Sequence, residues 1–164
     1  MPRLFVIRHG ITGRSDIPLT PNGINTVSSK SDQVVGHDKV REWDYGDYEG
    51  LKPHEIKEKN PTWNIWTDGC PGGESVEEMT ARVDSVIARI REVHRRYVEE
   101  GLGKRDTLIF SHGHFSRVLI SRWMEFTPAL GTHFNFEAGG IALLSYNHGS
   151  LKEPSLNGLN LYAY

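Results

Sequence analysis

LFVIRHG (residues 4–10) and DTLIFSHGH (residues 106–114) are the stretches from which the fold can be read. In each, a short β-rich apolar run stops abruptly at a polar turn containing His-Gly, the pattern of a buried strand that delivers a functional loop. Gly140-Ile141-Ala142-Leu143-Leu144-Ser145-Tyr146 reads as a third strand. Ser75-Val76-Glu77-Glu78 fits a capping box and opens the clearest helix. Apolar residues recur there at 76, 79, 83, 86, 90, 93 and 97, which marks one buried helical face. Arg89, Arg91, Glu92, Arg95 and Arg96 fall on the water side, and Gly101 and Gly103 stop the helix. A further helix is expected from about Phe115 to Glu125, and Thr20-Pro21 offers another helix start. Residues 26–36 read as a loop or poorly ordered helix, and Arg41–Gly50 and Trp63–Gly73 as loops, the latter anchored by two tryptophans. Strands alternating with helices predict an α/β layer fold with a largely parallel sheet. In such sheets the carboxyl ends of the strands carry the site, and both His-Gly turns stand at such ends.

The composition narrows the function. Nineteen Lys and Arg face 21 Asp and Glu, a formal net charge of −2, so there is no global basic field for nucleic acid or anionic lipid. Any phosphate-binding ability is therefore local. No apolar run approaches the roughly 20 residues of a membrane helix, and MPRLFVIRHG is too short in apolar residues for a signal-peptide core of about 7–15. Cys70 is the single cysteine in the 164 residues, which fits a reducing compartment without requiring one. The expected location is the cytoplasm, with the nucleus also open.

Three clusters carry chemistry. In Arg8-His9-Gly10 a neutral imidazole can attack phosphorus and divide one hard displacement into two easier ones. An adjacent guanidinium can grip phosphoryl oxygens bidentately, and glycine admits a close approach of backbone to phosphate. Taken alone, the tripeptide is equally a strand ending in a polar turn. In Ser111-His112-Gly113-His114 a second histidine at a strand end can donate to the same group. His112 and His114 also suit metal ligation, but that needs a third ligand for which the spacing offers no candidate; for His114 a structural role is the commoner one. The third cluster, REWDYGDYEG (41–50), supplies four acidic residues, any of which could act as general acid and then base. The residues themselves do not choose among the four.

Together these motifs resemble the histidine phosphatase superfamily, also called phosphoglycerate-mutase-like. RHG with a Thr two residues on, an acidic loop of the REWDYGDYEG type and a late strand ending in HGH occur in the family's order, at Arg8–Thr12, Arg41–Gly50 and His112–His114. LTPNG, WNIWTDGCPGGES and EAGGIALLSY are similar to the fungal sedoheptulose-bisphosphatase-like branch. The resemblance implies a three-layer α/β/α sandwich with a mostly parallel central sheet. It also implies metal-independent, cofactor-free hydrolysis of a phosphomonoester, with His9 as the phosphorylated nucleophile. Arg8 and His112 would hold the phosphoryl group, Glu42 would donate the proton, and Thr12 and Gly113 would line the phosphate pocket. Trp43, Tyr45 and Arg117 would contact the rest of the substrate, and His114 would support. The implied partner is a small phosphorylated molecule, such as sedoheptulose 1,7-bisphosphate, with neither nucleic acid nor membrane. A mutase would keep the phosphoryl group under a longer covering segment, and none is visible here. A non-catalytic phosphate-binding scaffold is the reading from another class. Phe134, Phe136 and the tail Leu161–Tyr164 are candidates for a homo-oligomer interface, although core packing is their commoner use.

The single domain over 1–164 departs from the family in two places. Thr12-Gly13-Arg14 runs straight into Ser15-Asp16-Ile17, where the family has further substrate contacts. The family also has a strand ending in SSPxxRAxQT, whose Arg is the second guanidinium on the phosphate. Between Val27 and Val40 this chain has only SSKSDQVVGHDK, without Arg. Losing one such donor typically costs about 10²–10³ in rate. Losing the strand would also bare a sheet edge. Either the domain is shortened, or further residues belong at that place; the second is favoured, because deleting a central strand should leave the rest hard to fold. The intact mass of the natural protein is then expected to exceed 18.6 kDa. A mass equal to it would make the shortening real and efficient catalysis unexpected.

Overall fold

The computed structural model describes residues 1–9 and 37–161. The helix start at Thr20-Pro21, the stretch 26–36 and Thr12 lie outside the described residues. The elements in order are β1 (Arg3–Arg8), α1 (Pro53–Lys59), α2 (Ile65–Asp68), α3 (Val76–Arg95), β2 (Asp106–Ser111), α4 (Gly113–Trp123), β3 (Ile141–Tyr146) and β4 (Pro154–Leu161). Three strands and the capped helix fall where the sequence places them. At the head of α3, Ser75 Oγ accepts from Glu78 N–H at 3.1 Å while Glu78 Oε2 accepts from Ser75 N–H at 2.8 Å. Its buried face is Met79, Val83, Val86, Ile87, Ile90 and His94, and its end passes into a π turn before Gly101 in the left-handed conformation.

The sheet order is β2-β1-β3-β4. Pairing of β1 with β2 is parallel, from Arg3↔Asp106 to Arg8↔Ser111, whereas β3 runs antiparallel to both β1 and β4. The sheet of the described residues is therefore mixed rather than mostly parallel. For β3 and β4 the cause is local: they are joined by the short turn around Asn147–Glu153, which can only reverse the chain.

Leu4, Val6, Ile109, Ala142 and Leu144 alternate onto one face, which α3 and α4 cover; Phe115, Val118, Leu119 and Trp123 of α4 are fully buried. On the opposite face Leu108 is exposed, and Phe5, Ile7 and Phe110 are half-buried. The described residues thus form the open α/β sheet with helices packed on it that the sequence leads one to expect. Phe136 is buried and Phe134 packs against the same core, so these aromatics serve packing rather than an interface. Arg91 also departs from the expected water-facing row, lying over the Trp123 ring at 5.3 Å. None of the described helices is long and apolar enough to cross a membrane.

A polar group crosses this core. His94 is fully buried, its Nδ1 2.9 Å from Tyr146 Oη and its Nε2 3.3 Å from Thr107 Oγ1, so α3 is tied to β2 and β3 at once. Burial pushes the imidazolium down from 6.5 to about 4. A base held below its ordinary range binds its proton more tightly in the unfolded chain. Stability is therefore whole above pH 6.5, is lost as pH falls from 6.5 towards 4, and changes no further below. The full effect is on the order of 3 kcal/mol. His94→Gln should start less stable at pH 8 but lose less between pH 6.5 and 4, as read by urea melts at stepped pH; parallel curves for the two proteins would remove His94 from the account.

Candidate functional site

Parallel pairing in register makes β1 and β2 end side by side, and each strand is followed at once by a histidine. His9 N–H donates to Ser111 C=O at 3.1 Å, which carries the pairing one residue past the strand. The two rings then meet edge to face with centroids 4.4 Å apart, and His9 Nε2 lies 2.6 Å from His112 Nδ1. Two histidines separated by 103 residues in sequence thus share one contact.

Arg8 points to the helical side of the sheet, like Leu4 and Val6, and its Nη1 donates to Phe136 C=O. Its guanidinium lies flat against the first turn of α4. A Cβ on Gly113 would stand 3.1 Å from Arg8 Nη2 and 3.2 Å from Cζ, so this glycine gives the guanidinium its room. Beside the phosphate-pocket role that the resemblance implies for Gly113, its lack of a side chain sets the place of Arg8.

His112 is the N-cap of α4, but its side chain does not cap. Glu42, from the acidic loop, does so instead. Its Oε2 accepts from His114 N–H at 3.1 Å, and its Oε1 from Phe115 N–H at 2.9 Å and from Trp43 N–H at 2.9 Å. The free N–H groups of a helix start need acceptors, and the Glu42 carboxyl supplies them. Among the four acids of the loop, Glu42 is the one whose carboxyl reaches α4, beside His112.

His114 is enclosed by rings, with Trp43 at 6.4 Å, Tyr45 at 5.7 Å and Trp66 at 5.4 Å, and its Nδ1 is 2.7 Å from Tyr45 Oη. Burial, reinforced by Arg117 and Arg8, pushes its imidazolium down. Burial and the charge of Glu42 push the Tyr45 phenol up. Both side chains therefore stay neutral near pH 7. Arg117 is half-buried over the Trp66 ring at 4.8 Å, with Nε and Nη2 donating to Gly131 and Thr132 C=O at 3.0 and 2.7 Å.

The structure thus gathers Arg8, His9, Glu42, His112 and Gly113, with Tyr45, His114 and Arg117 around them. Trp43 is the exception among the residues expected to touch substrate. It is 2% exposed, and its Nε1 donates to Glu74 C=O at 2.8 Å, so its indole is core. Thr12 lies outside the described residues. Among those described, no three His, Cys, Asp or Glu residues group as metal ligands do. Cys70 is buried, and desolvation with Asp44 and Glu74 nearby pushes its thiol up to about 12, which leaves it unreactive.

The model of the histidine phosphatase superfamily, branch 1, matches residues 25–158, and the chain belongs to that superfamily. An acid phosphatase of Mycobacterium tuberculosis is 43% identical over 110 residues, 67% of this chain and 50% of that protein, so the chain spans half the length of this relative. Sedoheptulose 1,7-bisphosphatase of Saccharomyces cerevisiae is 30% identical over 248 residues, 94% of this chain and 91% of that protein. Since 94% of 164 residues is about 154, the yeast protein has internal stretches without a counterpart here. Among solved structures, an open reading frame of Mycobacterium tuberculosis superposes with a TM-score of 0.73 at 31% identity, covering 98% of both chains.

Gly113→Ala separates the placing of Arg8 from stability. Gly113 has no left-handed backbone, and alanine favours a helix over glycine by about 1 kcal/mol. The variant should melt no lower than the wild type while binding inorganic phosphate about tenfold more weakly, because the guanidinium must shift. Unchanged phosphate affinity by calorimetry would mean that Arg8 does not depend on this glycine.

Proposed function

We propose that the chain hydrolyses a small phosphomonoester through a phosphohistidine at His9, with Glu42 as acid and then base. The observation that carries this reading is the meeting of His9 and His112 at 2.6 Å, beside Arg8 and the helix end that holds Glu42. In the first step the Nε2 lone pair of His9 attacks phosphorus. This requires His112 to turn its proton from His9 onto a phosphoryl oxygen, and the phosphate itself supplies that acceptor. The P–O ester bond breaks, and the departing alkoxide takes the proton of Glu42. In the second step Glu42 accepts a proton from water as that water attacks phosphorus, the P–N bond breaks, and His9 is regenerated with inorganic phosphate. Arg8 neutralises charge on the equatorial oxygens throughout.

Substrate class follows from the relatives and the charges around the site. Two of the relatives are named phosphatases, one of a sugar bisphosphate. Arg117, held rigidly beyond Arg8, suits the more distant part of such a substrate, with Tyr45 beside it. We take a sugar bisphosphate such as sedoheptulose 1,7-bisphosphate as the substrate, and the cytoplasm as the place of action.

The test is phosphate release from sedoheptulose 1,7-bisphosphate, with and without chelator. His9→Ala is expected to lower release by at least about 10⁴, and chelator to change nothing. Equal release by both proteins would remove His9 as nucleophile. Loss of activity in chelator would require a metal route. Release by neither protein would favour a phosphate-binding scaffold, and transfer of the phosphoryl group to a second hydroxyl in place of water would favour a mutase.

A further inference from the structure

Glu42 is held by its carboxyl at α4, but its backbone is held from elsewhere. Arg82, one turn along α3 from Met79, is a charged residue at the margin of an apolar stripe, an ordinary place for a solvated arginine. Its side chain is nevertheless only 10% exposed, and that of its partner Glu74 only 5%. Arg82 Nε and Nη2 donate to the two oxygens of Glu74, each at 2.7 Å. The remaining hydrogens go to carbonyls at the entry of the acidic loop: Nη1 to Lys39 at 3.1 Å and Arg41 at 3.0 Å, Nη2 to Glu42 at 3.3 Å. The guanidinium also lies over the Phe115 ring at 5.2 Å, against the turn of α4 whose N–H groups hold the Glu42 carboxyl.

Glu74 completes the fastening from its own backbone. Its N–H donates to Asp44 C=O at 2.9 Å, and its carbonyl accepts from the Trp43 indole. One residue pair therefore binds residues 39, 41, 42, 43 and 44 at once. Lysine cannot replace this, since a single ammonium has no planar fork to reach a carboxylate and three carbonyls together.

We infer that Arg82 is a positioning residue, its Glu74-locked fork fixing where the Glu42 carboxyl stands relative to the leaving oxygen. The inference rests on the reading of Glu42 as proton donor. It differs from a brace for the fold in one consequence. A displaced acid harms substrates whose leaving group needs a proton, and spares those whose leaving group departs as a stable anion.

Arg82→Lys should therefore lower kcat on sedoheptulose 1,7-bisphosphate, an alkyl phosphate, by about 10²-fold, while kcat on p-nitrophenyl phosphate falls only several-fold and KM for both holds. Arg122→Lys is the control. Arg122 makes a similar two-point pair with Asp84 between α3 and α4, at 2.9 and 3.0 Å, away from the acidic loop. It should lower the melting temperature and leave the ratio of the two substrates unchanged. If Arg82→Lys does not fold, Glu74→Gln keeps the backbone bonds at 74, loosens the fork, and is read in the same way. Equal losses on both substrates, or a ratio no different from that of Arg122→Lys, would make Arg82 a structural brace only. A wild type that releases phosphate from neither substrate would overturn the phosphatase reading itself, and the role of Arg82 with it.

Discussion

The parallel register of β1 on β2 is the constraint from which the rest of the site follows. Arg3 and Asp106 form a two-point ion pair at the start of both strands, with contacts of 3.1 and 2.6 Å, and hold the Asp106 carboxyl down near 2. At the other end the bond from His9 N–H to Ser111 C=O closes the ladder. Between these points every pair is fixed, so His9 and His112 leave the sheet at the same level. A slip of one residue would turn Leu4 and Val6 out of the core as well as part the histidines. Core burial and the juxtaposition of the two rings are thus one condition, and the hydrophobic effect that orders the sheet also orders the chemistry.

The second half of the site reaches it along a different path. The acidic loop has little regular structure of its own beyond one 3-10 turn at Gly46–Tyr48. Its shape comes from what surrounds it. Gly46, with φ of +51°, packs so tightly on the backbone of Gly73 that a Cβ would stand 2.2 Å from the Gly73 nitrogen. Arg82 holds the carbonyls, and α4 takes the carboxyl of Glu42. A loop held backbone by backbone in this way presents one carboxyl with little freedom, at little entropic cost to the reaction step.

These two paths explain which parts of the molecule could be read from the sequence. Strands β1, β2 and β3 and helix α3 declare themselves because apolar periodicity and a capping box are local properties. Helix α4 starts two residues earlier than the pattern implies, since Glu42, 72 residues before His114, takes the His114 and Phe115 N–H groups of its first turn. The strand β4 contains Pro154, Gly158 and two asparagines, turn residues by composition, and survives because an edge strand tolerates them. The resemblance implies a substrate contact for Trp43, yet its ring is drawn into the core by Trp66 and by the Glu74 carbonyl. Glu42 could be told from its three acidic neighbours only by resemblance, and Arg82 not at all. Both owe their position to tertiary bonds with no trace in the spacing of residues.

A second guanidinium on the phosphoryl group would bear on rate rather than on mechanism. Among the described residues, Arg8 and Arg117 are the cations whose charge is felt at His114. Arg117 cannot move in to substitute, because two of its donors are committed to carbonyls and its face to Trp66. The N-terminal N–H groups of α4, the other natural anion site, are already occupied by Glu42. On the proposed reading, charge on the phosphoryl group falls, among the described residues, mainly on Arg8 and His112. The proposed nucleophile and acid are held by the sheet register and the loop clamp, both independent of any second arginine. Such an arginine would add one stabilising donor, typically about 10²–10³ in rate, and leave the path as it is.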